Sequence, residues 1–150
     1  MSFAIKNITG TLVSFSLILI FYLVRLFSLV SNDAFTRENL VHLWIIVIVA
    51  SIVVTIITMI LTHIITTAAV AIKTREEPDI DETEDERDKT IELKGSALAH
   101  KIHTIAVFFA MLTFALGKAP EVMFSMLIAF GLIAQVIEDT VRLYYYRKGF

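Results

Sequence analysis

Apolar residues gather into four long runs, 11–30, 41–72, 97–116 and 122–144, separated by short polar stretches and one longer one. Each run reaches the roughly 20 residues needed to cross a ~30 Å hydrocarbon core at ~1.5 Å of helix rise per residue. The apolar positions are concentrated in these runs and are not spread at the spacing of a soluble core. The pattern predicts an all-α fold: an integral membrane bundle of four transmembrane helices forming one domain over 1–150.

Two of the polar breaks are short. Asn32-Asp33 supplies turn chemistry before Thr36-Arg37-Glu38-Asn39, and Gly117-Lys118-Ala119-Pro120-Glu121 places glycine after one helix and proline at the start of the next. That punctuation suits tight helical connections. The bundle is therefore expected as two helical hairpins, runs one with two and three with four. The second run is long for a span: its 32 residues make about 48 Å of helix, so it must tilt or project beyond the membrane. Ahead of the first run, Phe3, Ile5 and Ile8 with Lys6 and Asn7 are expected to lie along the membrane surface. The first run follows only Lys6, is too long for a signal-peptide core, and leads into a poor cleavage context at 28–32, so it is expected to be retained.

Composition sharpens the class. The chain is 57% hydrophobic and has no cysteine, which removes disulfides, thiol nucleophiles and thiolate metal sites. Orientation follows from the cations. Lys6, the group from Lys73 to Lys101, and Arg142, Arg147 and Lys148 fall on one side of a four-span arrangement, against Arg25, Arg37 and Lys118 on the other. Positive charge is retained inside. Both termini and the segment 73–96 are thus expected in the cytoplasm and the spans in the plasma membrane.

The segment 73–96 is the longer polar stretch. Nine acids between Glu76 and Asp88, with Arg87 among them, form a run that repels itself and reads as a solvated linker. A calcium loop starting at Asp79 would need Gly at 84 and Glu at 90, where Glu84 and Thr90 stand. From Asp85 onward charges alternate at helical spacing while Ile91, Leu93 and Leu98 begin an apolar face, which predicts a juxtamembrane helix running into the third span. Asp85-Glu86-Arg87-Asp88, then Ile91-Glu92 and Lys94 ahead of a transmembrane helix, resembles the signature of a family of small prokaryotic integral membrane proteins of unknown activity. The resemblance covers about a fifth of the chain. It implies genes beside small helix-turn-helix regulators and assigns no catalytic residue. Asp85, Glu86, Arg87, Asp88, Glu92 and Lys94 are accordingly the candidates for binding a cytoplasmic, regulatory partner.

Polar groups inside the spans form the second set of candidates, because charge at the bilayer centre costs about 2.5–3.5 kcal/mol on insertion scales. The fourth run carries Gln135, Glu138, Asp139 and Arg142, with Arg142 able to pair with either acid. The third carries His100 and His103. With the hairpin turn centred near residue 119, residues equally far from it lie at equal depth, so His100 stands level with Glu138 and His103 with Gln135. A hydroxyl stripe, Ser51, Thr55, Thr58, Thr62 and Thr66, leads along the second run past His63. These groups can form a ligand or ion site. They can equally serve packing: Ser and Thr bond their own i−4 carbonyls, Ala106, Ala110 and Gly117 permit close helix approach, and an ion pair near a helix end can snorkel. Arg25 is expected to snorkel outward.

Three functions compete. A non-enzymatic, oligomeric membrane protein that binds a cytoplasmic partner through 73–96 is preferred. A transporter or channel subunit would use the intramembrane cluster. A haem or metal protein would draw on His63, His100 and His103, although no attachment motif is present. No catalytic residue and no cofactor is expected, since no nucleophile–base pair, phosphate loop or zinc-protease motif occurs. Tyr144-Tyr145-Tyr146-Arg147-Lys148 reads as an interfacial aromatic belt with basic anchors, and direct nucleic-acid binding is not expected.

Overall fold

The structure, a computed structural model, describes residues 3–74 and 86–148. The acidic stretch through Asp85 and the side chains of Thr62 and Thr66 lie outside the described residues. Four helices account for nearly everything else: α1 (Phe3–Ser31), α2 (Arg37–Thr74), α3 (Glu86–Ala115) and α4 (Pro120–Lys148). Each contains a stretch long and apolar enough to cross a membrane. The chain is a multi-pass membrane protein built as an all-α four-helix bundle.

The helices outrun their apolar runs at the end that holds the chain termini. α2 has 38 residues, about 57 Å at helical rise, so the excess length expected of it is real. α3 starts at Glu86 and passes without interruption into the apolar part, which makes the charged juxtamembrane segment and the third span one element. At the start of the chain the expectation of a surface-lying segment is corrected. Residues from Phe3 onward continue α1, Thr9 bonds the Ile5 carbonyl at 2.7 Å, and Ile8 is buried against the bundle. Packing of that turn outweighs its interfacial character.

The opposite ends are closed by two connections of the same kind. Asp33 and Gly117 take left-handed conformations, φ 53° and 78°. The N–H groups of Asp33 and Ala34 return to Val30 and Leu29, and those of Gly117 and Lys118 return to Phe114 and Thr113. Both sets are the paired bonds that satisfy the last carbonyls of a helix. Thr36 then caps α2 through the Asn39 N–H at 3.4 Å, and Pro120 opens α4. Gly117 serves this turn and not helix packing, since nothing lies within 4 Å of where its Cβ would be.

Among the described residues α4 packs on α1 and α3, α1 packs on α2, α2 touches α4 lightly, and α3 packs on α4 alone. Tyr22, Leu43, Val47 and Leu132 form the core where α1, α2 and α4 meet, with Phe15, Ile18 and Trp44 around them. The α3–α4 seam is made differently. Gly95, Ala99, Ala106 and Ala110 are its small buried face. A Cβ on Gly95 would sit 2.6 Å from Arg142 Cγ and 3.3 Å from the Glu138 carbonyl oxygen. On α1, a Cβ at Gly10 would meet Thr58 Cγ2 at 2.7 Å.

These contacts make small residues the test of the packing. Gly10→Val and Gly95→Val should each lower stability by about 1–3 kcal/mol through overpacking. Gly131→Ala, with nothing within 4 Å of the added methyl, should be neutral or stabilise by up to about 1 kcal/mol. Thermal unfolding of the detergent-purified variants checks the contrast; equal losses at all three positions would contradict it.

Candidate functional site

Helical spacing on α4 turns Gln135, Asp139 and Arg142 to a common side near the terminal end of the bundle, where α1 and α3 flank them. Asp139 is 1% exposed. Its Oδ1 accepts a hydrogen bond from Gln135 Nε2 at 3.2 Å, and Thr11 of α1 lies near the carboxyl. Arg142 is shared between two acids. One guanidinium nitrogen lies 3.8 Å from Glu138 on its own helix, the other 3.9 Å from Glu92 on α3. The arginine stem reaches Glu92 by crossing the gap that Gly95 leaves open. Asp139 Oδ2, Arg142 Nε and, on α1, Asn7 Oδ1 are enclosed with no hydrogen-bond partner among the described residues.

Further toward the terminal end, the charged start of α3 is fastened to the tyrosines of α4. The Tyr146 hydroxyl donates to Asp88 Oδ1 at 2.8 Å, and Lys94 Nζ lies 4.9 Å from the centre of the Tyr145 ring. Lys148 sits over Tyr144 at 5.5 Å. Tyr145 and Tyr146 therefore do more than form an aromatic belt, since with Arg142 they clasp α3. Of the six partner-binding candidates, Asp88, Glu92 and Lys94 take part in this clasp, and Glu86 and Arg87 are exposed. Asp85 lies outside the described residues.

The histidines do not join the α4 cluster. His100 and His103 are exposed on α3, and His63 is exposed on α2. Equal depth holds, as Gly95 opposite Arg142 shows, but depth does not choose a face. α3 presents Gly95, Ala99, Ala106 and Ala110 to α4, which leaves His100 and His103 outside the seam. α2 does not contact α3 among the described residues, so His63 is not brought to the other two. No group of three or more His, Asp or Glu placed to hold a metal occurs among the described residues. Ser51 and Thr55 bond the carbonyls of Val47 and Ser51 at 2.8 Å each, which absorbs the first part of the hydroxyl stripe into helix α2. Arg25 is exposed and makes no ion pair among the described residues.

A second polar contact, which span-counting passes over, lies toward the hairpin end. The buried Tyr22 hydroxyl donates to the Ser125 carbonyl of α4 at 2.9 Å, and the Trp44 indole of α2 stands beside that hydroxyl while stacking at a tilt on Phe124, 5.8 Å away. Tyr22 thus ties three helices. Its signal in the sequence is that Tyr22 is the single tyrosine of the first run. Beside it a groove of about 790 Å³ opens between α1 and α4, with Leu26, Asp33, Ser125 and Phe130 in its walls.

Comparison with protein-family models, with curated proteins and with solved structures finds no match to this chain.

Arg142 should be the member of the cluster least tolerant of removal. Arg142→Met leaves the half-buried Glu138 without its cation and should cost about 1–3 kcal/mol, whereas Glu92→Gln at the exposed end of the network should cost less than about 1 kcal/mol. Chemical denaturation of both variants in the same detergent reads the difference; a larger loss for Glu92→Gln would overturn the ranking.

Proposed function

We propose that this chain is a non-enzymatic protein of the plasma membrane with both termini in the cytoplasm, which binds a cytoplasmic regulatory partner through the start of α3 and transmits that binding to its membrane helices. The observation that carries this reading is the clasp of Asp88, Glu92 and Lys94 on Tyr146, Arg142 and Tyr145. A charged segment hinged freely to its span would bind without moving it. Here the charged turn and two membrane helices are one body, and Glu86, Arg87 and Lys89 remain exposed for a partner. The distribution of cations supports a cytoplasmic setting for this end, and the resemblance of the 85–94 motif to membrane proteins encoded beside regulators points the same way.

The proposal includes self-association. Among the described residues α3 rests on α4 alone and α2 mainly on α1, so two helices offer most of their apolar flanks to a second copy. Lipid gives apolar side chains no reason to prefer each other, and such pairing rests on shape and polar contacts.

A photo-crosslinking residue in place of Arg87, in cell membranes, tests the partner reading. It should yield a heterologous adduct that falls at least fivefold on Lys89→Glu in the same chain, while a crosslinker at Phe114 near the hairpin end yields none. Adducts only to lipid or to the chain itself at position 87 would refute the reading.

A further inference from the structure

The groove beside Tyr22 changes from charged to apolar along its length. Its walls come from α1, through Leu23, Leu26 and Val30, from the turn that follows, and from α4, through Val122, Met126 and Ile133. From Val122 to Ile133 the α4 wall runs about 16 Å at helical rise, close to half of a ~30 Å hydrocarbon core. That is the reach of one acyl chain from the hairpin end to the middle of a bilayer. The volume, about 790 Å³, falls within the ~300–1,000 Å³ of sites that enclose a small ligand. The bond from the Tyr22 hydroxyl to the Ser125 carbonyl holds α1 and α4 together beside the slot, so its walls are preformed.

The polar side chains among its described walls, Asp33 and Ser125, both stand toward the hairpin end. Asp33 is exposed and makes no ion pair among the described residues. Its backbone is held by the left-handed φ of 53° and by its N–H bond to the Val30 carbonyl at 3.4 Å, which keeps the carboxylate at the mouth. Arg25, Arg37 and Lys118, the cations of this end, are not in the walls. Ser125 lies one turn below Val122, and its Oγ is enclosed with no hydrogen-bond partner among the described residues; an ester carbonyl arriving at that depth would supply one. Anion, hydroxyl and then apolar wall are the complement of a lipid read from its head: cation, ester, chain. A carboxylate holds a primary ammonium by a charge-assisted hydrogen bond. A trimethylammonium has no N–H to give, and an anionic headgroup is repelled.

We infer that this slot is a binding site for one acyl chain of a phospholipid with a primary ammonium headgroup, the ammonium on Asp33 and the ester beside Ser125. A second copy of the chain is the competing occupant. The flanks left bare for a copy belong to α2 and α3, however, whereas α1 and α4 wall the slot. The site does not rest on the partner reading, because it lies at the end of the bundle away from the clasp.

The test is native mass spectrometry of the full chain, delipidated in detergent and then offered phosphatidylethanolamine, phosphatidylcholine or phosphatidylglycerol with the same acyl chains. Phosphatidylethanolamine should be retained at least fivefold more than either of the others. Asp33→Asn, which keeps a residue tolerant of the left-handed turn, should bring it down to the phosphatidylcholine level. Val30→Trp, which fills the slot from an exposed wall position, should remove the preference, and Leu23→Trp from the same wall gives the same reading if Val30→Trp does not fold. Equal retention of the three lipids by the parent chain, or a preference that survives Asp33→Asn or the filled slot, would overturn the inference. A dimer that Val30→Trp dissociates while lipid retention stays the same would also overturn it, since the slot would then seat a second copy.

Discussion

Helices in a bilayer are not pushed together by water, because lipid tails solvate their apolar faces as well as other helices do. Everything in this bundle depends on that constraint. Association has to come from close fit and from polar groups that lack an alternative partner. The contacts follow this rule: Gly10 lets α1 approach Thr58, Gly95 lets α3 approach the Arg142 stem, and Tyr22 spends its hydroxyl on the Ser125 carbonyl. Many large aliphatic side chains of α2, among them Ile45, Ile52 and Ile56, face outward instead, while Leu43 and Val47 enter the core.

The same constraint makes α4 the organising helix. It holds the intramembrane polar groups and supplies them to both neighbours: Asp139 toward Thr11 on α1, Arg142 toward Glu92 on α3. Its last turns then grip the charged start of α3 through Tyr145 and Tyr146. The charged start of α3, the α3–α4 seam and the α1–α4 seam are thus mechanically continuous. That continuity is what the proposed role in relaying a binding event requires.

Much of this architecture is legible in the sequence, and the parts that are not share a cause. Four spans, two hairpins, the turn residues Asp33 and Gly117 and the fusion of the charged segment with the third span follow from apolar run length and turn chemistry. Depth is also legible, since Gly95 lies opposite Arg142 as the hairpin register requires. Facing is not. In water, a polar face marks the outside of a helix, but in lipid both sides are apolar and that mark is lost. Depth alone therefore makes His100 and His103 available to Glu138 and Gln135, whereas the stripe Gly95, Ala99, Ala106 and Ala110 is what meets α4. Small residues at helical spacing carry the facing information. The tyrosines of α4 were legible as interfacial and not as a clasp, because their partners come from an element about 50 residues away.

The central claim is that the charged start of α3 and the end of α4 are one rigid body. The chain has no cysteine, so paired spin labels at Lys89→Cys and Arg147→Cys measure this directly by pulsed dipolar spectroscopy in nanodiscs. The account predicts a single narrow distance distribution that broadens when Tyr146→Phe and Glu92→Gln remove two points of the clasp. A broad distribution in the parent chain, unchanged by those substitutions, would contradict it.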